Sequence, residues 1–349
     1  MTQRQEKAVT MRAGSYNQNS NFQLEALKPA LELLPSLATW KNSSVCLVDY
    51  GCSQGQNSPN NDFNTLAATF ERNRGQLSRD GELEIFELML PASFYGPVLP
   101  GPLKADIGLS LSSLHYLEHE LPPLDELPAD AVQWENLTRE AAKVFSVAEM
   151  VKFLRLRSDE IRSPGGTLIL AFPCQSEDDH RVWWGLGLAM RAAFMSAVSD
   201  GLLKKDVVLR HGNSMGTRTV EQVYEALEQV KDVWSTEHVF VRDIVHPDYS
   251  AYSESCAVIG QDEKREAYVK FARTLVEMTY AVYTPFLLQA IRKTKRTGVA
   301  NNVGTGPSES EEEKGIIEDL KRKSLGYYCE REMGSPFWIP YIYVKLDRK

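Results

Sequence analysis

Apolar positions along the chain follow two periods, and their alternation predicts an α/β protein. Short apolar runs that fit strands occur at Val45–Val48, Leu83–Leu90, Asp106–Leu114, Thr167–Phe172, Trp234–Val245 and Phe337–Leu346. Helical spacing appears between them, over Leu24–Leu37, Asn60–Phe70, Ala141–Ile161, Thr219–Val230 and Glu263–Ile291, the last with Pro285 as a kink point. Ser163–Gly166 (SPGG) breaks one helix and turns into the strand Thr167–Phe172, which makes one α/β unit. Repeated units of that kind predict an open, mostly parallel sheet with helices on its faces. Residues 180–235 change character: Trp183, Trp184, Leu186, Leu188, Met190, Phe194, Met195 and Val198 crowd one helix, as in an inserted helical subdomain. Pro340 in the last run favours an edge or a bulge, and Lys293–Lys314, poor in apolar residues, reads as a flexible surface loop.

The most informative stretch is Val45–Ser58, VCLVDYGCSQGQNS. An apolar run ends in Asp49 and is followed by Gly51 and Gly55, a turn that lets a nucleotide approach the backbone. It has neither the G-x-G-x-x-G of dinucleotide folds nor the Gly-Lys-Ser/Thr of triphosphate loops. A tight strand-to-helix turn without a ligand is the competing reading. Ser15–Gln23 (SYNQNSNFQ) is dense in neutral hydrogen-bonding groups, which cap a helix or face a polar ligand.

Composition narrows the class. The 349 residues are 43% hydrophobic and 25% charged, as in ordinary soluble globular proteins. A net charge of −8 argues against nucleic-acid binding, which needs clustered Lys and Arg. No apolar stretch has the length of a membrane span, and the N-terminus lacks a signal peptide's apolar core. Cys46, Cys52, Cys174, Cys256 and Cys329 are scattered without a C-x-x-C pair and read as reduced thiols of a cytoplasmic protein. The six histidines show no metal-binding spacing, so no metal is expected.

Several motifs, in order, resemble the SABATH family of S-adenosylmethionine (SAM) dependent methyltransferases, which act on carboxylates and nitrogens of small molecules. SYNQNSNFQ resembles the family's S-Y-x-x-N-S-x-x-Q, and Asp49–Asn57 its D-L-G-C-S-x-G-x-N. Asn61–Asn64 (NDFN), Ser93–Gly96 (SFYG), Ser112–Leu117 (SSLHYL) and the SPGGTLIL after Phe153 match further blocks. The resemblance implies a Rossmann-like class I SAM-methyltransferase sheet with an inserted α-helical cap. It divides the chain into a SAM-binding core over 1–175 with an N-terminal arm at 11–24, a mainly helical cap over 176–300, and a flexible loop, helix and strand over 301–349.

The resemblance also implies roles. Tyr16, Ser20, Asp49, Gly51, Ser53, Gly55, Asn57, Ser93 and Phe94 would bind the cofactor, with Phe94 along the adenine. Gln23, His115 and Tyr116 would bind the substrate carboxylate, Tyr116 standing in the family's Trp position. An ionised carboxylate is already a nucleophile, so catalysis is positioning for in-line displacement, and His115 is the one candidate acid–base. The activity implied is O-methylation of a small-molecule carboxylic acid. N-methylation, phenol methylation and a catalytically impaired relative stay open, as does a homodimer. The chain departs from the family after Ser58, where GCSQGQNS runs almost directly into PNNDFN. The helix and second strand expected there are missing, with the acid that would bind the ribose hydroxyls, and a parallel crossover needs a dozen residues or more.

Overall fold

The computed structural model describes residues 21–35, 44–51, 90, 92–175, 182–209, 215–256, 260–296 and 310–349. Its sheet is built on β3 (Thr167–Gln175), buried at every position but the last. On one side β3 pairs in parallel with β2 (Ile107–Leu111), and β2 in parallel with β1 (Leu47–Asp49). On the other side β3 pairs antiparallel with β6 (Trp338–Arg348), which pairs antiparallel with β5 (Trp234–Val245). The order is β1-β2-β3-β6-β5, with the short β4 (Arg218–Thr219) in parallel against the end of β3. The parallel expectation holds for β1 to β3, while β6 enters as an antiparallel strand between β3 and β5.

Period-two alternation sends each strand's side chains into two cores. Leu168, Leu170 and Phe172 of β3 and Ile342, Val344 and Leu346 of β6 face α2 (Ala131–Glu160) and α5 (Val220–Glu228), meeting Met150, Phe153, Leu154, Val223 and Leu227. Ile169, Ala171, Tyr341 and Tyr343 belong to the other core, with α1 (Asn21–Leu31), α3 (Val182–Ser199), α7 (Gln261–Arg296) and α8 (Glu311–Glu332). The short α4 (Lys205–Leu209) and α6 (Pro247–Ser255) complete the described helices. Tyr343 donates its hydroxyl to the Ala26 carbonyl at 2.8 Å, fixing α1 to the sheet. Arg292 and Glu313 join α7 to α8 through two hydrogen bonds of 2.8 and 2.9 Å.

Four expectations shift, each for a physical reason. β2 ends at Leu111 rather than Leu114, because Ser112 takes a left-handed φ of +59° and turns the chain off the sheet. α2 starts at Ala131 rather than Ala141; the Asp130 side chain caps it, accepting from the Gln133 amide at 2.8 Å, and its first turns look polar because they face solvent around one buried residue, Trp134. β6 is interior, yet Pro340 lies past the last β3 pair, Pro173↔Tyr341, and pairs only with Asp243 of β5, so no second ladder asks for its missing N–H. α7 and α8 reach into the stretch read as a loop, leaving 297–309 outside the described residues. The elements expected over 60–70 and 83–89 also lie outside them. Among the described residues β1 is the sheet's edge, and its Leu47 is 52% exposed, unusual for a strand of a parallel sheet.

Ile342 has no exposed surface. The Ile342→Ala variant is expected to lose about 2–5 kcal/mol of unfolding free energy in urea titrations. Val144→Ala, at a position 73% exposed, should change it by less than about 0.5 kcal/mol.

Candidate active site

Ligands of open α/β sheets bind beyond the carboxyl ends of the strands, and there the turns after β1 and β2 touch. β1 ends in Asp49, and Gly51 two residues on has φ +99°. A Cβ on Gly51 would lie 2.3 Å from Ser113 Oγ and 3.6 Å from the Phe94 ring, so only glycine fits. Ser113 Oγ donates to the Gly51 carbonyl at 3.3 Å, joining the two turns. No described residue hydrogen-bonds the Asp49 carboxylate. That side chain is exposed at the strand end, and desolvation raises its carboxyl to about 7.

The segment Ser93–Gly96 is held by Arg157 of α2. Arg157 Nη1 donates to the Phe94 carbonyl at 2.9 Å and Nη2 to the Gly96 carbonyl at 2.7 Å. Its guanidinium lies 4.2 Å from the Tyr50 ring centroid and 5.1 Å from that of Phe153. Nε lies 3.2 Å from Glu160 Oε2, and Glu160 Oε1 in turn accepts from the amides of Val98 and Leu99. Burial pulls the Arg157 pKa down while Glu160 and Tyr50 hold it up. The Phe94 ring is thereby fixed against Tyr95 and Phe153, at centroid distances of 4.6 and 6.1 Å.

His115 and Tyr116 follow the Ser112 turn, their ring centroids 4.4 Å apart. The Gly216 amide donates to the His115 carbonyl at 2.8 Å, and the Tyr95 hydroxyl to the Tyr116 carbonyl at 2.7 Å. Burial pushes the His115 imidazole down to about 3, and the Arg218 guanidinium adds to the effect, so the ring is neutral at pH 7. Its Nδ1 is buried without a hydrogen-bond partner.

Asp49, Gly51, Ser93, Phe94, His115 and Tyr116 thus gather at one edge of the sheet. Gln23 lies on α1, its side chain outside the described set, and Tyr16, Ser20, Ser53, Gly55 and Asn57 fall outside the described residues. A sequence reading passes over Tyr95, Arg157, Glu160 and Arg218. For Arg157 and Glu160 a signal exists, since both continue the buried stripe Met150–Phe153 at helical spacing; Arg218 carries none. Glu118, His119 and Glu149 also come close enough together to hold a metal ion. Lys152 already pairs with Glu118 at 2.6 Å, and Glu149 accepts the amides of Glu118 and His119.

The parallel strands, the crossover helix and a glycine turn beside an acid define a Rossmann-like α/β fold with a nucleotide-type edge. A solved structure of loganic acid methyltransferase with S-adenosylhomocysteine (SAH) shares this fold, at a TM-score of 0.57 and 17% identity over 98% of each chain. The family profile described as SAM dependent carboxyl methyltransferase matches residues 58–294, about two thirds of the chain, and the chain belongs to that family. Methyltransferase LUC1 of a Fusarium species is 28% identical over 366 aligned positions, covering 96% of both chains. O-methyltransferase acrG of Aspergillus aculeatus is 27% identical over 383 positions, also covering 96% of both. Both alignments exceed the chain's 349 residues, so these relatives carry residues without a counterpart here. The protein is therefore a SAM-dependent methyltransferase, and the expected SABATH kinship, fold and cofactor are borne out.

The raised Asp49 carboxyl has a consequence for stability. The folded chain holds a proton that the unfolded chain releases near pH 4, so the contribution is full below that pH and is lost as pH rises through about 7. Asp49→Asn, uncharged throughout, should raise the melting temperature more at pH 8 than at pH 5. An equal change at both would show that Asp49 titrates normally.

Proposed function

We propose that the enzyme transfers the SAM methyl group to the carboxylate of a small-molecule acid, forming a methyl ester. What carries this reading is the neutral state of His115 beside Tyr116. A phenol needs a base that titrates near the working pH to become nucleophilic, and a histidine held near 3 is too weak for it. A carboxylate is ionised already and asks only to be oriented. The family match supports the same acceptor.

Bound SAM supplies a methyl group on a positively charged sulfur as the electrophile. The residues present fit such a group: Gly51 leaves room for backbone approach, Phe94 offers an apolar ring beside it, and Asp49 is a carboxylate without a partner among the described residues. In this reading Asp49, Gly51, Ser93 and Phe94 hold the cofactor, with Tyr16, Ser20, Ser53, Gly55 and Asn57 completing its surroundings. Gln23 and Tyr116 donate hydrogen bonds to the acid, and His115 offers its uncharged ring. Neutral donors orient an anion without stabilising its charge so strongly that the ground state gains more than the transition state. The core over 1–175 would supply the cofactor side, the helices of 176–300 a cap over the acceptor, and 301–349 the return to the sheet. No helix among the described residues is long and apolar enough to cross a membrane.

One observation favours a second reading, a methyltransferase with weakened SAM binding. β1 is the edge of the described sheet, and the relatives carry residues that the chain lacks. One set of measurements separates the two. The purified chain is incubated with methyl-labelled SAM and panels of aromatic and aliphatic acids, phenols and amines, and SAH affinity is measured by calorimetry. Label should enter acids in a form that alkali releases as methanol. Label on phenols or amines alone overturns the carboxylate reading, and failure to bind SAH supports the second.

A further inference from the structure

His115 and Tyr116 are held by residues that lie outside the site proposed above. Their segment leaves β2 through the left-handed Ser112, and neither helix nor strand carries it onward. Its carbonyls are instead taken one after another. Arg218 Nη1 donates to Leu114, the Gly216 amide to His115, and the Tyr95 hydroxyl to Tyr116. Three consecutive backbone oxygens thus find donors from two other parts of the chain.

Arg218 is an expensive way to make such a contact. It is wholly buried, its Nη2 has no hydrogen-bond partner, and no carboxylate among the described residues forms an ion pair with it. A desolvated, unpaired guanidinium is costly, and an apolar side chain filling the same space would be cheaper. Its position is nevertheless fixed from every side. Nε donates to the Ser146 carbonyl of α2 at 2.7 Å, and its backbone pairs with Cys174 of β3. Thr219 next to it forms a capping box with Gln222 that starts α5.

Tyr95 reaches the same segment from the cofactor side. Its amide donates to Ser93 Oγ at 3.2 Å, its ring packs on Phe94, and its hydroxyl ends on the Tyr116 carbonyl. Burial pushes that hydroxyl up to about 12, so it remains a donor at any pH the enzyme meets.

We propose that Arg218 and Tyr95 are positioning residues for the acceptor, which set through the Leu114 and Tyr116 carbonyls how His115 and Tyr116 face the acid. The proposal rests on the reading of His115 and Tyr116 as the substrate-binding pair. Neither residue touches the acid. Tyr95, seated between Phe94 and Tyr116, also ties the acceptor side of the site to the cofactor side.

The test uses the full chain with Tyr95→Phe, Arg218→Lys, Arg218→Met and the Tyr95→Phe/Arg218→Lys pair. Hydrogen exchange over residues 112–117, SAH affinity, and KM and kcat with trans-cinnamate as acceptor are measured. Exchange at 114–117 should quicken by about five- to tenfold for each lost hydrogen bond, and cinnamate KM should rise by a similar factor. SAH affinity should stay within about threefold, a difference under 1 kcal/mol. Arg218→Lys should recover part of what Arg218→Met loses, and the pair should fall short of the product of its members because both act on one segment. If Arg218→Met does not fold, Tyr95→Phe, which removes one oxygen, decides. Unchanged exchange, or SAH affinity falling in step with KM, overturns the proposal. So does a KM raised by His115→Ala but not by Tyr95→Phe or Arg218→Lys. A KM that His115→Ala also leaves unmoved removes the substrate reading beneath it. If cinnamate is not turned over, the exchange result decides alone.

Discussion

The site depends on one buried guanidinium. Arg157 comes from the inner stripe of α2, yet it fixes a loop, Phe94–Gly96, and supports the Tyr50 ring at the end of β1. A guanidinium withdrawn from water needs its donors and its charge met by protein; two backbone carbonyls accept from Nη1 and Nη2, and Glu160 balances the charge, while Nε has no hydrogen-bond partner. Removing one member of such a pair costs about 3–5 kcal/mol, because the other charge stays buried. The loop that carries Phe94 is thus tied to the helix beneath it, although it has no regular structure of its own. A tie of that kind suits a reaction in which catalysis is positioning.

Arg218 repeats the arrangement on the segment that bears His115 and Tyr116. Both arginines are fully buried, and both reach backbone carbonyls of the segments that bear the site's side chains. What those segments present is neutral and aromatic: Phe94, His115 and Tyr116. Methyl transfer from a sulfonium to a carboxylate annihilates two opposite charges, so a strongly charged lining would favour the reactants over the transition state. Keeping permanent charges behind the backbone, with His115 desolvated to neutrality in front, is consistent with that demand.

Much of the fold is legible in the sequence. β3 announces itself by apolar content, and α7 by periodicity, because burial on both sheet faces or along one helical stripe leaves a pattern in residue type. The polar first turns of α2 do not, since one buried residue, Trp134, cannot make a period. β6 misleads through Pro340, whose tolerance comes from the β3–β6 ladder stopping at Pro173↔Tyr341, beyond which β3 pairs with β4 instead. In the site, Asp49, Gly51 and Phe94 are legible because they stand in short motifs. Tyr95 stands in the same motif as Phe94, but its hydroxyl acts on Tyr116, 21 residues away, and spacing does not reveal that. Arg218 reaches across 104 residues to Leu114.

The sequence by itself determined an α/β chain with a glycine turn after its first strand, the kinship with SAM-dependent methyltransferases, and the His115–Tyr116 motif after β2. These follow from local pattern, because strands, turns and short ligand loops are encoded by residues near one another. Only the tertiary structure decided that β6 inserts antiparallel beside β3, that Gly51 must be glycine because Ser113 stands against it, and that Arg157 and Arg218 hold the two halves of the site. It also decided that His115 is neutral, since a pKa is set by what surrounds the ring and not by its neighbours in the chain.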